Sequence, residues 1–292
     1  MALQKWPEGL PRAANLKFQK VTPVNDWFEI FRVNDTTYAL LEPHHDEEVF
    51  SYLLLGTDKA ALIDTGMGIA NIKVEVEEIT DLPVIVLNTH THFDHTGDNF
   101  QFNEIACFDH SFEIDNLNNG HGNQFCSNFM HPTSYKNLPS GFEPAEYQIK
   151  PSKITTKLNH LDEIDIGNRM LKIHHTPGHS PGSICIEDKN YKLLYTGDTY
   201  YRGTLVSHLP GSNYPDYLKS IDYLISIARD MKALCPGHNE CYAPADDFDR
   251  LQDAVTEINT GQKKCETSAD SRFYQFDHFN IRVPLDLNKQ YF

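Results

Sequence analysis

Four times in this chain a short apolar run stops at a histidine or an aspartate, and that recurrence limits the available folds more than any other feature. Pro83–Leu87 leads into Asn88-Thr89-His90, and Met170–His175 leads into Thr176-Pro-Gly-His179. Lys192–Tyr195 leads into Thr196-Gly-Asp198, and Ala233–Cys235 into Pro236-Gly-His238. Short runs rich in β-branched and apolar residues, bounded by Gly and Pro, read as buried strands. Each polar residue therefore sits in the loop at the C-terminal end of a strand, where loops carry function on a rigid scaffold. A fold that sets these strands together brings the polar residues to one place.

The remaining pattern says which fold that is. Trp27–Val33, Thr37–Leu41, Val49–Leu55 and Ala60–Ile63 read as consecutive strands separated by Asn-Asp and Gly-Thr-Asp turns. Ile69–Thr80, apolar at Ile69, Ile72, Val74, Val76 and Ile79 in a mixed pattern, reads as a helix because no Gly or Pro interrupts it. In the second half, strands at Met170–His175, Ser183–Glu187 and Lys192–Tyr195 precede helices at Pro215–Arg229 and Pro244–Asn259. The first of these helices repeats Tyr217, Leu218, Ile221, Leu224, Ile225 and Ala228 on a 3.6-residue period. Strands followed by helices in both halves predict an α/β fold, a four-layer αββα sandwich in a single domain spanning 1–292. Residues from about 112 to 157, rich in Asn, Gly, Pro and aromatics, read as an insertion. An extension follows from about 262, and from Ser271 it alternates aromatic and polar residues like an added strand.

Composition narrows the function classes. With 40% hydrophobic and 23% charged residues, 292 residues suffice for one large core. No run of about 18 apolar residues and no signal-type leader occurs, so no membrane span is expected and the chain reads as cytoplasmic. The six cysteines lack CxxC spacing and are expected to be reduced; Cys126 and Cys185, near the motifs in sequence, read as structural. The 25 Lys and Arg against 41 Asp and Glu give a formal charge of −16. That charge repels polyanions, so no nucleic-acid partner is expected, and the substrate is a small molecule.

His90-Thr-His92-Phe-Asp94-His95 concentrates nitrogen and carboxylate ligands directly after a buried strand. Residues two apart in an extended loop point the same way, so His90 and His92 can share one metal. Asp94 and His95 follow a turn and can face a second. His179 adds a nitrogen on a loop whose glycines permit close backbone approach. Asp198 is a carboxylate that can bridge two cations, and His238 closes the set. Any one of these alone is as readily a satisfied polar residue at a strand end.

Taken in order, HxHxDH, TPGHSPG, GDT and PGH resemble the metallo-β-lactamase superfamily, and Asp64-Thr-Gly66 is similar to its early DTG turn. The resemblance runs from about residue 50 to 240. It implies the αββα fold, a first metal held by His90, His92 and His179, and a second held by Asp94, His95 and His238. Asp198 and a hydroxide would bridge the two, and Asp64 would orient the ligand loops by hydrogen bonds. Asp94 would also orient the nucleophile. Five His and two carboxylates suit two Zn2+, with Fe or Mn as alternatives. Tyr201, three residues after Asp198, matches a tyrosine that assists at the carbonyl oxygen in lactonases of the superfamily; a packing role is the other reading.

The true β-lactamases of the superfamily replace the bridging aspartate, whereas this chain keeps Asp198, so β-lactam hydrolysis is expected at most as a side activity. Glyoxalase II is similar in all seven ligands but carries a longer C-terminal helical region. Gly178–Cys185 and Gly197–Leu205 resemble animal acyl-CoA thioesterases, and equally suit acyl-homoserine lactonases. The expectation is a dinuclear zinc-dependent hydrolase attacking an acyl carbonyl, a thioester such as acyl-CoA. Lactone hydrolysis, or persulfide dioxygenation at a single iron, are the alternatives. Phe125, Phe129 and Phe142, with Tyr135, are spaced too irregularly for one amphipathic element and are expected to wall the substrate site. A self-contained apolar cluster or a homodimer contact are the other roles open to them.

Overall fold

In the computed structural model, which describes residues 5–288, alternate residues of the strands belong to different cores. On β4 (Phe50–Leu55), Phe50, Tyr52 and Leu54 enter a central core while Leu53 enters an outer one. On β5 (Ala60–Ile63), Ala61 and Ile63 go inward, and Ala60 and Leu62 outward. This is the period-two pattern of strands covered on both faces.

β4 and β5 belong to an eight-stranded sheet that runs in sequence order. It begins with β1 (Gln19–Val21), β2 (Glu29–Asn34) and β3 (Thr37–Leu41), antiparallel like β4 and β5. It then continues in parallel through β6 (Val84–Leu87), β7 (Glu104–Phe108) and β8 (Thr156–Leu158). A second sheet joins β9 (Glu163–Asp165), β10 (Met170–His175), β11 (Ile184–Asp188) and β12 (Leu193–Gly197) antiparallel, and β14 (Ala233–Pro236) parallel to β12. Between the sheets, Phe50, Tyr52, Leu54 and Ile63 meet Leu171, Ile173, Ile186 and Tyr195, all buried. Each such side chain contributes roughly 1.5–3 kcal/mol relative to exposure. Tyr52 spans the gap: its hydroxyl donates to the Pro236 carbonyl at 2.7 Å, and its ring meets Tyr195 edge-on at 5.1 Å.

Helices close the outer faces, which completes the αββα sandwich. α1 (Ile72–Ile79), α2 (Ser111–Asn119) and the short α3 (Asn123–Cys126) lie over the first sheet; α4 (Tyr214–Ala228) and α5 (Asp247–Asn259) lie over the second. α1 starts later than its apolar pattern because the Asn71 side chain caps it, accepting from the Lys73 amide at 3.0 Å. α5 starts at Asp247 rather than Pro244, because Ala243 is paired with Leu234 of β14. No helix among the described residues is long and apolar enough to cross a membrane. All six cysteines are free, and only Cys265 is exposed.

The chain leaves the first sheet after Phe108 and re-enters it at Thr156, an excursion over 109–155 that begins with α2 and lies close to the expected segment of about 112 to 157. The tail forms two strands rather than one, β16 (Ser271–Gln275) and β17 (Asn280–Pro284), in a third sheet with β15 (Glu266–Thr267) and β13 (Thr204–Val206). β17 runs parallel to β13, just after Asp198 in sequence. The tail thus braces a loop of the candidate site.

Candidate metal centre

Every sequence-predicted ligand emerges from the C-terminal end of a strand. His90, His92, Asp94 and His95 follow β6, His179 follows β10, Asp198 follows β12 and His238 follows β14. The fold brings all seven together in three overlapping groups: His90, His92 and His179; His90, His95 and Asp198; and Asp94, His95 and His238. Within each group the ligand atoms lie within 4.8 Å of one another. Asp198 touches both halves, with Oδ2 at 3.4 Å from His179 Nε2 and Oδ1 at 3.0 Å from His238 Nε2. Asp94 Oδ2 lies 3.6 Å from both His95 Nε2 and His238 Nε2.

Protons alone satisfy this cluster poorly. His92 Nδ1 faces His179 Nε2 at 3.0 Å and His95 Nε2 faces His238 Nε2 at 3.3 Å, and each pair of nitrogens can share only one proton. His90 Nε2 is buried with no hydrogen-bond partner, and Asp198 Oδ1, though 3.0 Å from His238 Nε2, is buried without a well-aligned hydrogen bond, whereas such atoms are normally paired. Burial, reinforced by neighbouring imidazoles, holds the pKa of His90 and of His92 well below the usual 6.5, leaving neutral rings with lone pairs to give. At His95 burial works against charge, but Asp94, Asp198 and Asp64 outweigh it and push the pKa well up. The same contest at His238 raises it to about 9, with Asp198 and Asp94 as the winning partners. A convergence of lone pairs and carboxylates with orphaned inward atoms is the donor set that divalent cations of borderline softness fit.

The outer nitrogens fix which inner ones are free. His95 Nδ1 donates to Asp64 Oδ2 at 2.9 Å, and the same carboxylate accepts from the Thr89 amide and hydroxyl at 2.8 and 2.7 Å. Asp64 thereby ties β5 to the loop after β6, from a left-handed backbone at φ 58°. His179 Nδ1 donates to the Val206 carbonyl at 2.8 Å, on the strand that the tail braces, and His238 Nδ1 to the Glu47 carbonyl at 2.6 Å. Such partners set tautomer and ring direction for a ligating histidine. Behind Asp64, Gly66 at φ 65° leaves room for Glu42, whose Oε1 would lie 1.9 Å from any added Cβ.

A cavity of about 390 Å3 opens beside the cluster, bounded by His92, Asp94, His179 and Asp198. Phe93, Phe112, Phe125, Phe129 and Leu209 make its wall apolar. Phe129 stacks on Phe93 at 4.1 Å, and Phe125 lies edge-on to Phe93 at 6.0 Å. Phe142 does not line this cavity; it packs on Tyr147 at 5.7 Å. Tyr135 pairs with His45. Tyr201 borders the cavity with its ring 4.8 Å from that of His238, but its hydroxyl donates to the Thr204 carbonyl. Burial and the nearby carboxylates keep that hydroxyl protonated, with its pKa well above the usual 10.

Three buried or half-buried acids escaped the sequence reading. Glu113 on α2 accepts from Thr91 at 2.6 Å through one oxygen, and from Ser180 and the Gly182 amide at 2.7 and 2.9 Å through the other, joining two ligand loops. Glu42 accepts from Trp27 Nε1 at 2.6 Å and the Met67 amide at 2.7 Å, and burial pushes its pKa up to about 8. Glu47 lines the cavity beside Asp94, with its pKa likewise pushed by burial to about 8. Glu47 lies between Asp46 and Glu48, outside every motif, and Glu113 in a segment read as irregular. The only available signal was the helical spacing of Glu113 and Leu117, both inward on α2.

The sequence pattern of the Metallo-beta-lactamase superfamily matches residues 46–238. An acyl-coenzyme A thioesterase of Homo sapiens is 29% identical, the match covering 73% of this chain and 81% of that one. Its counterpart in Bos taurus is 30% identical over the same shares. Among solved structures, a subclass B3 metallo-beta-lactamase of Bradyrhizobium japonicum superposes with a TM-score of 0.56 at 17% identity, covering 80% of this chain and 94% of that one. With its fold, its strand-end ligands and the sequence match all in agreement, this chain belongs to the metallo-beta-lactamase superfamily.

Proposed function

We propose that this metal-dependent hydrolase carries two zinc ions and cleaves acyl thioesters of the acyl-CoA type. The observation that carries the reading is the complete seven-ligand set opening onto an apolar cavity of about 390 Å3. The thioesterase relatives support the choice of a thioester. His90, His92 and His179 would hold one cation, Asp94, His95 and His238 the other, with Asp198 between them. Divalent cations at such a site polarise an acyl carbonyl and lower the pKa of water toward neutrality. The intact second group, Asp94, His95 and His238, favours this over a single-iron centre.

The chain's own groups supply the rest. Asp94 lines the cavity and would orient the attacking water and accept its proton. Phe93, Phe125 and Phe129 exclude solvent and receive the acyl chain, so the carbonyl meets the ligand cluster in an apolar surround where electrostatic interactions strengthen. Tyr201, its proton committed to Thr204, shapes the mouth of the cavity beside His238. A panel comparing acyl-CoA, S-lactoylglutathione, an acyl-homoserine lactone and a chromogenic cephalosporin tests the assignment. Acyl-CoA should give the highest kcat/KM, and Asp94→Ala should lower it by at least about 100-fold, beyond what loss of an outer partner costs. Preference for the lactone or the cephalosporin would overturn it.

A further inference from the structure

A second groove, of about 730 Å3, adjoins the same centre at His238. Glu47, Tyr201 and Val206 line both spaces, so the ligand cluster stands at the junction of an apolar arm and this second one. A carbonyl held at the junction has its acyl chain on one side and its leaving group on the other. The apolar arm suits the acyl chain. The second arm therefore faces the leaving thiol.

Part of its wall comes from outside the span shared with the superfamily: Trp6 and Arg12 from the N-terminal segment and Phe273, Gln275 and Asn280 from the C-terminal sheet, whereas the family match covers 46–238. Two of its three cations are committed to carboxylates, and the third, Lys5, is exposed. Arg12 Nε bonds Glu48 at 2.9 Å, and Arg202 Nε bonds Asp247 at 2.7 Å. Asp46, Glu48 and Glu266 balance Lys5, Arg12 and Arg202 in the lining, while burial raises the Glu47 pKa to about 8, so the groove carries no net positive charge to draw phosphate in. What it offers is amide groups and an aromatic face.

The geometry points to a leaving-group site for a neutral, amide-bearing thiol arm of the pantetheine type, with any phosphates of the carrier left outside the groove. This rests on the thioesterase reading above. The test uses thioesters of one acyl group on CoA, on pantetheine and on ethanethiol, assayed with the metal-loaded full chain. Acyl-pantetheine should match acyl-CoA within about threefold in kcat/KM. Both should exceed acyl-ethanethiol by about tenfold, the worth of one or two hydrogen bonds. The double variant Phe273→Ala, Gln275→Ala, at half-buried and exposed positions, should move that selectivity toward unity, chiefly through KM. A preference for acyl-CoA over acyl-pantetheine of about 100-fold or more, or a selectivity the variant leaves unaltered, overturns the proposal while the thioesterase reading stands. Failure to cleave any of the three overturns both.

Discussion

Glu113 holds Thr91 by a 2.6 Å hydrogen bond between two fully buried side chains, one on α2 and the other between His90 and His92. The other carboxylate oxygen holds Ser180 and Gly182, next to His179. One acid therefore sets the spacing of the three histidines in the first metal group. Glu113→Ala should weaken metal affinity by about 10–100-fold, the usual cost of an outer-shell partner. Glu113→Gln should fall between, since its amide oxygen can still accept from Gly182. Chelator competition measures this directly, and unchanged affinity in both variants would show that Glu113 does not position the histidines.

Phe125 and Phe129 should set chain-length preference. Phe125 is 48% exposed at the cavity wall, so its truncation costs little stability. Replacing both with Ala should raise KM for long acyl substrates well above that for short ones, at about 25 cal/mol per Å2 of lost apolar contact. Phe142→Ala, away from the cavity, should leave the ratio unchanged. An equal response to both lengths would make the Phe125 and Phe129 cluster purely structural.

Acid sensitivity should trace to Asp247. Its carboxylate accepts from Tyr200 at 2.6 Å and Arg202 at 2.7 Å, and pairs with Arg250. Burial opposes its charge, but the bonds from Arg202 and Tyr200 prevail and hold its pKa below the usual 3.8. The folded state thus binds fewer protons than the unfolded one. The stabilisation is fully present above about pH 5 and is lost as pH falls through about 4 toward the folded pKa. Asp247→Asn should lower Tm most at neutral pH, by the equivalent of about 2 kcal/mol, with the deficit shrinking in acid. A deficit independent of pH would contradict this.

The sequence disclosed strand-end ligands more readily than the groups that orient them, for a physical reason. His90, His179, Asp198 and His238 each end a hydrophobic run, and local pattern marks such runs. Glu113 and Glu47 act through tertiary contacts: Glu113 meets Ser180 across 67 positions, and Glu47 reaches His238 through its backbone carbonyl, which carries no residue signature. The strand β7 was missed because Glu104-Ile-Ala-Cys-Phe108 is short and its edge-on polar neighbours blur the pattern. The tail was legible as β-type but not as a hairpin pairing with β13, since that register depends on chain far away. Phe142 shared the irregular spacing of Phe125 and Phe129, and spacing could not tell a cavity wall from a contact with Tyr147.

His90, His92 and His179 on one side, and Asp94, His95 and His238 on the other, are proposed each to hold a divalent cation, with Asp198 between. Elemental analysis of full-length protein purified without chelator, combined with oxygen uptake and thioester cleavage on the same sample, tests it most directly. Two zinc ions per chain are expected, with cleavage lost on chelation, restored by zinc, and no oxygen consumed. One iron and no zinc, with oxygen consumption, would contradict it.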